Sequence, residues 1–292
     1  MRVAEKRSPV QLEPSHPRPM SSSRLSGYLR VTAAPDSSGK TILVRKEYRT
    51  PIHISKPYWD GSTLLLNVMS PTAGLLEGDQ VDLDVVVETG AKLVLSNPTA
   101  LRVHKMDTGK ATWTQRIRVV DDAFLECHPE WIILQANSRF EQRSRIELNS
   151  RAQLFFIEAI APGRVASGES FAFTSFRNRL ELLWDGKLSA LERSDIRPKR
   201  ATHAGWKAAF ESPFYLSVYI AAPELESADP FFQFVHELQT PTLLCGASKL
   251  NHGPCWNIKL LAQSSVEAKA ALRALRERFY QSIGRNPVNL RR

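Results

Sequence analysis

Asp79, Glu130, Glu158 and Glu169 each stand in an apolar, turn-bounded stretch instead of on a solvated face. A carboxylate taken out of water persists only when it is paired, protonated, bound to a metal or lining a wet passage. Joined by His104 or His128, these acids would offer oxygen and nitrogen ligands to a metal-dependent enzyme. Joined by Arg102, Arg139 or Arg164, they would be structural ion pairs. Cys127 with His128, and His252 with Cys255, supply softer ligands, but neither set reaches the four that a closed structural site requires. Gly39-Lys40-Thr41 has the ending of a phosphate-binding loop, yet Ala34 stands where the loop's first glycine belongs. The nucleophile elbow of serine hydrolases, the paired-histidine helix of zinc proteases and the glycine-rich dinucleotide turn are all missing from the sequence. The catalytic motifs are thus lacking, and for each acid ion pairing, protonation, metal binding and a wet passage all stay open.

The elements that must position these acids are strands. Short apolar runs, such as Thr41 to Val44 and Leu64 to Val68, alternate with Pro, Gly and Asp punctuation. Three times a strand-like run meets a polar turn and then Ala-x-Leu: Val81 to Val87 before Ala91-Lys92-Leu93, Thr114 to Val120 before Ala123-Phe124-Leu125, and Ser144 to Leu148 before Ala152-Gln153-Leu154. Self-similarity at about thirty residues predicts stacked β units that bury their apolar faces against one another; an ordinary antiparallel meander is the alternative. The expected fold is mainly β, layered or β-helix-like stacked strands with a few helices. Asp185-Gly186 predicts a hairpin turn between Leu180–Trp184 and Lys187–Leu191, followed by a polar surface stretch from Glu192 to His203. Phe214 to Ala221 predicts a further strand and Pro230 to Leu238 a short helix. Ser264 and Glu267 have capping-box spacing, and Val266, Leu272, Leu275, Phe279 and Ile283 then recur on one side of a C-terminal helix that stops near Gly284. Its opposite face reads as basic, through Lys269, Arg273, Arg276 and Arg278.

Residues 1–25 carry Pro9, Pro14, Pro17 and Pro19 with a serine run, a composition that predicts a flexible tail ahead of a domain over residues 26–292. The net charge of +9 attracts an acidic partner, an anionic surface or nucleic acid at long range. Neither basic cluster, Arg139 to Arg151 or Arg193 to Arg200, carries the interleaved aromatics of a base-stacking platform, so a basic nucleic-acid-binding module ranks behind a solvated or protein-docking face. Three unevenly spaced cysteines fit a reducing compartment, and no long uncharged apolar run is present, so a cytoplasmic location is expected with no membrane contact.

From about Pro71 to Ile196 the motifs fall in the order of a known family. Gly74-Leu75-Leu76-Glu77-Gly78-Asp79, the stretch Ser96 to His104, Pro129-Glu130, Ser138-Arg139-Phe140 with Gln142 and Arg143, and Gly163-Arg164 followed by Gly168-Glu169 and Phe171 together resemble the urease accessory protein UreD, also called UreH. Departures are Ala73 in place of a glycine, Pro98 in place of a common Gln, Leu101 in place of Thr, and Trp131 in place of a second Pro. Pro98 lacks a backbone donor, so a central strand would have to bulge there. The resemblance implies a non-enzymatic urease maturation factor that binds UreF, and through it the GTPase UreG, and docks on apo-urease. Nickel would pass through it toward the urease active site, held transiently, with no tightly bound cofactor. On this reading Asp79, Glu130 and Glu169 contribute to or border a nickel passage, Arg164 balances their charge, and the C-terminal helix is a candidate docking element.

Overall fold

The computed structural model describes residues 25–200, 207–227 and 229–290. The tail expected over residues 1–25, apart from Leu25, and the end of the polar stretch at residues 201–203 lie outside the described residues. The chain lays down β1 (Ser26–Pro35), β2 (Thr41–Arg49), β3 (His53–Ile54), β4 (Tyr58–Asp60) and β5 (Thr63–Met69). It continues through β6 (Gln80–Val87), β7 (Lys92–Asn97), β8 (Leu101–Val103), β9 (Ala111–Val119), β10 (Phe124–Pro129), β11 (Ile132–Leu134), β12 (Arg139–Leu148) and β13 (Gln153–Ala161). Then come β14 (Ser175–Trp184), β15 (Lys187–Ile196), β16 (Phe214–Ala221), helix α1 (Asp229–Glu237), β17 (Leu243–Lys249), β18 (Cys255–Ala262) and helix α2 (Ser265–Ser282).

Two sheets stack on one another. The first runs β15-β14-β12-β9-β6-β1-β2; the second is built on β17-β18-β16-β13-β10-β7-β5-β3. The threefold Ala-x-Leu repeat is the coil of this stack. β6, β9 and β12 lie parallel side by side in the first sheet, with Val87 beside Val119 and Val119 beside Leu148. β7, β10 and β13 do the same in the second, with Leu93 beside Leu125 and Leu125 beside Leu154. Between sheets the turns superpose: Ala91, Ala123 and Ala152 donate to Glu88, Val120 and Asn149 carbonyls at 2.9, 3.1 and 3.0 Å. All three alanines are fully buried, and the turns are linked through the backbone, Phe124 N–H donating to the Ala91 carbonyl and Gln153 N–H to that of Ala123, each at 2.9 Å.

Burial explains why the two sheets read differently in sequence. β6 alternates exposed and buried residues, whereas every residue of β13 is buried, because the first sheet has a solvent face and the second is covered on both sides. The helices supply that second cover: Phe231 and Val235 of α1, and Leu275 and Phe279 of α2, pack on Phe124, Phe155, Val218 and Ile258. Ser264 caps α2 as its spacing predicts, accepting from the Glu267 N–H at 3.2 Å and donating to its carboxylate at 3.0 Å. Two residues of the expected faces are exchanged. Val266, in the first turn, is 76% exposed, while Arg276 is buried among the apolar residues because a carboxylate waits beneath it. Pro98 forces no bulge, since β7 ends at Asn97 and the chain resumes as β8 at Leu101. No helix of the described residues is long and apolar enough to cross a membrane.

Candidate functional site

Between the sheets lies a cavity of about 100 Å³. Leu83, Val85, Leu95 and Ile117 give it apolar walls, and Ser96, Asn97, Gln115, Gln142 and Glu158 give it polar ones. Such a space is large enough for a few water molecules, which its few polar side chains could hold. One wall is the end of β10 and the link to β11, His128-Pro129-Glu130, with Ala159 of β13. The same four residues line a groove of about 680 Å³ under α2, whose other side carries Trp131, Leu216, Lys269, Leu272, Arg273 and Val288. A thin partition of three consecutive residues thus separates the interior from a large surface groove. Glu130 sits in that partition, ion-paired with Lys269 Nζ at 2.8 Å.

Glu158 is the acid deepest in the cavity wall. Its two oxygens accept from Gln142 Nε2 at 2.7 Å and Asn178 Nδ2 at 2.8 Å, so β13 is bolted to β12 and β14 of the opposite sheet. Burial, and then the neighbouring Glu192 carboxylate, push its pKa up to about 7. Glu192 is itself held by the Tyr215 hydroxyl at 3.1 Å, by the Tyr219 hydroxyl, and by Lys259 Nζ at 3.0 Å. Lys259 is half exposed. A row of polar groups therefore leads from the surface at Lys259, past Glu192 and Glu158, to the cavity and its partition.

The partition is anchored from behind. Glu126, two residues before His128, is fully buried and accepts from Arg276 Nε at 2.5 Å, Arg276 Nη2 at 2.9 Å and the Tyr280 hydroxyl at 2.5 Å. His128 Nδ1 lies 3.1 Å from the same carboxylate. Burial alone would raise the Glu126 pKa, but the hydrogen bonds from His128 and Arg276 and the Arg276 charge hold it below the usual range. This cluster ties α2 to β10 across 150 residues of sequence.

The other sequence-predicted acids lie elsewhere. Asp79 is buried and accepts the backbone N–H of Leu25 at 3.0 Å and of Leu76 at 2.8 Å, clamping the Gly74–Asp79 turn to the start of β1. Glu169 is forked by Arg164, with Nε at 2.9 Å, and accepts the Ala136 N–H at 3.3 Å. Both clamps act on the cavity's β8 and β11 side: Leu75 bridges to Val103, and Ala136 follows β11 closely. Arg102 and Arg139 do not join these acids; Arg139 donates to the Met106 and Asp107 carbonyls. Among the described residues, no three His, Cys, Asp or Glu side chains converge. Two glycines of the motifs are steric necessities. At Gly74 (φ +140°) a Cβ would lie 2.2 Å from the Arg102 carbonyl, and at Gly163 (φ +151°) one would lie 2.6 Å from that of Glu169.

The profile of the family described as UreD urease accessory protein matches residues 26–292. The chain belongs to the UreD family. Curated relatives agree: the urease accessory protein UreD of Opitutus terrae is 32% identical over 269 residues, covering 91% of this chain and 98% of that protein. Those of Trichodesmium erythraeum and Deinococcus radiodurans are 29% and 28% identical and cover 80% and 87% of this chain, and 87% and 90% of their own lengths. Of the UreD-like motifs, Pro129-Glu130 lines the cavity, while the Gly74 turn and the Gly163–Glu169 loop lie outside its lining, on the side of β8 and β11, which give it Leu101 and Ile132. What motif reading missed in this UreD chain is the Glu126–Arg276–Tyr280 cluster and the Glu192 cluster. The first left a signal, since Arg276 and Tyr280 follow Leu272 at intervals of four, which puts them on the helix's buried stripe.

Proposed function

We propose that this chain is a non-catalytic, cytoplasmic urease maturation factor that stands between UreF, with the GTPase UreG bound to it, and apo-urease, and that it lets nickel pass toward the urease active site. The observation that carries this reading is the cavity between the sheets, whose mainly apolar wall is interrupted by Asn97, Gln115, Gln142, Glu158 and Glu130, and the three-residue partition it shares with the α2 groove. A conduit needs oxygen ligands that release a divalent ion as readily as they take it, and a lone carboxylate with amides nearby fits that need better than a closed cage. Glu130 is the residue we assign to meet the ion. Its partner Lys269 is half exposed, so exchanging an ammonium for a hydrated cation there costs little. Asp79 and Glu169 border the passage by fixing the turns on its β8 and β11 side, with Arg164 balancing the charge of Glu169. The groove beneath α2, with an apolar floor and a polar rim, is our candidate seat for UreF.

The test is co-expression with the urease subunits and the other accessory proteins, reading complex assembly and urease nickel content separately. Glu130→Gln is expected to lower the nickel content of urease several-fold in those complexes that still retain UreF. If Glu130→Gln and Glu169→Gln both leave activation and nickel loading at the wild-type level in an assembled complex, the passage assignment is abandoned.

A further inference from the structure

The solvent face of the first sheet is bare. The second sheet is covered by the first on one side and by the helices on the other, but nothing among the described residues lies on the outward positions of β2, β1, β6, β9, β12, β14 and β15. From β1 to β14 the register runs without a bulge, so this is a continuous and rigid platform. Its outward side chains form rows across the strands. In one row Arg143, Arg179 and Arg193 stand on adjacent strands; in the next Arg116 is beside Arg145.

Arginine supplies nearly all the cations of this face among the described residues, the exception being Lys110, which reaches over it from the start of β9 to pair with Glu141. Solubility alone does not call for that choice, because lysine serves it equally. Arginine is the cation enriched at protein interfaces, where its planar fork grips carboxylates and loses less freedom per hydrogen bond. Carboxylates are interleaved among the arginines, as in the Arg145 pairs with Glu147 and Glu181. These exposed pairs are weak and exchange readily for a partner's carboxylates. Arg116, which faces Asp84 across the strands, and Arg193 are exposed, and neither is within ion-pair distance of a carboxylate among the described residues. A uniform polyanion such as a nucleic acid would be repelled by the interleaved acids, whereas a folded surface with mixed charges and an acidic excess complements them.

We infer that the solvent face of the first sheet is a docking surface for a net-acidic protein, engaged through Arg116, Arg193 and the rows around them. The choice of probes, though not the argument from charge, rests on the proposed place of this chain in urease maturation. The full chain is mixed separately with purified apo-urease and with UreF, and binding is followed at about 50 and about 300 mM NaCl. Arg116→Glu with Arg193→Glu is expected to weaken binding to one of the two probes at least about tenfold, with wild-type folding by circular dichroism. The control, Lys56→Glu with Lys105→Glu, makes the same change in net charge at exposed sites off this face and is expected to retain wild-type affinity. Equal losses in both pairs, or no loss in either, overturn the inference while leaving the maturation role standing. A wild-type chain that binds neither probe overturns both. A duplex DNA that binds the wild-type chain and is released by the Arg116/Arg193 pair alone also overturns it, since the face would then be a nucleic-acid surface.

Discussion

Glu158→Gln should make the protein more stable at neutral and alkaline pH and should change how its stability depends on pH. The wild-type carboxyl is raised from 4.5 to about 7 in the folded chain, chiefly by burial and then by Glu192. The folded state therefore holds the proton more tightly than the unfolded one. The stability this contributes is complete below pH 4.5 and is lost as pH rises through about 7. The gap between 4.5 and about 7, at about 1.4 kcal/mol per pH unit, sets the full loss at ~3 kcal/mol. Glutamine is neutral throughout and fits the site chemically. Asn178 presents Nδ2 to residue 158 while its buried Oδ1 lacks a hydrogen-bond partner, so turning the Asn178 amide over lets the glutamine N–H donate to Oδ1. Urea unfolding of both proteins from about pH 5 to about pH 8 should show the variant gaining on the wild type by ~2–3 kcal/mol across that range. Parallel curves, with the difference constant to within ~1 kcal/mol, would refute the argument that Glu158 is a proton-holding carboxyl inside the sheet stack.

Arg276→Met strands the buried Glu126 carboxylate and should cost ~3–5 kcal/mol in thermal or urea unfolding, much of it recovered by adding Glu126→Gln. Gly163→Ala places a side chain against the Glu169 carbonyl in a backbone conformation glycine alone tolerates, and should destabilise by ~1–3 kcal/mol, with a smaller cost of about 1 kcal/mol at Gly168, which is also left-handed (φ +75°) but has open space around it. The Glu77 carboxylate, held down to about 2 by the Gly109 and Asp107 N–H groups and the Thr108 hydroxyl, pins residues 107–109. That pinning is present above pH 4.5 and lost as pH falls through about 2, so Glu77→Ala at neutral pH should speed amide exchange at Asp107 and Gly109. Deleting residues 264–292 uncovers Phe124, Phe155 and Ile258 and should leave a chain that aggregates before any loss of UreF binding can be measured.

The coil of this fold was legible because its register is written in small residues. Ala91, Ala123 and Ala152 recur after each strand, and only a stack places three such turns against one another. The cap of α2 and the Asp185-Gly186 hairpin were equally readable, since each depends on local chemistry alone. The face of Arg276 was not, because its place depends on Glu126, 150 residues away on another element. For the same reason the acids could be singled out but not sorted. Asp79 and Glu169 answer to backbone donors and to Arg164 within turns, Glu130 to Lys269 on α2, and Glu158 to amides of the opposite sheet. Sequence shows that each acid stands among apolar neighbours; only the stacking of the sheets shows which partner reaches it.

The superposed alanine turns also bear on how such a molecule can lengthen or shorten. Each turn hands the chain to the next coil at an equivalent point, so a whole coil can be spliced in or out there while the flanking rungs keep their alignment. A cut that removes an odd number of residues from one strand would turn the rest of that strand's side chains from the wet side to the dry one. Changes in span along the stack are therefore tolerated only in whole rungs, and cousins of unequal size should differ in this region by steps of about thirty residues.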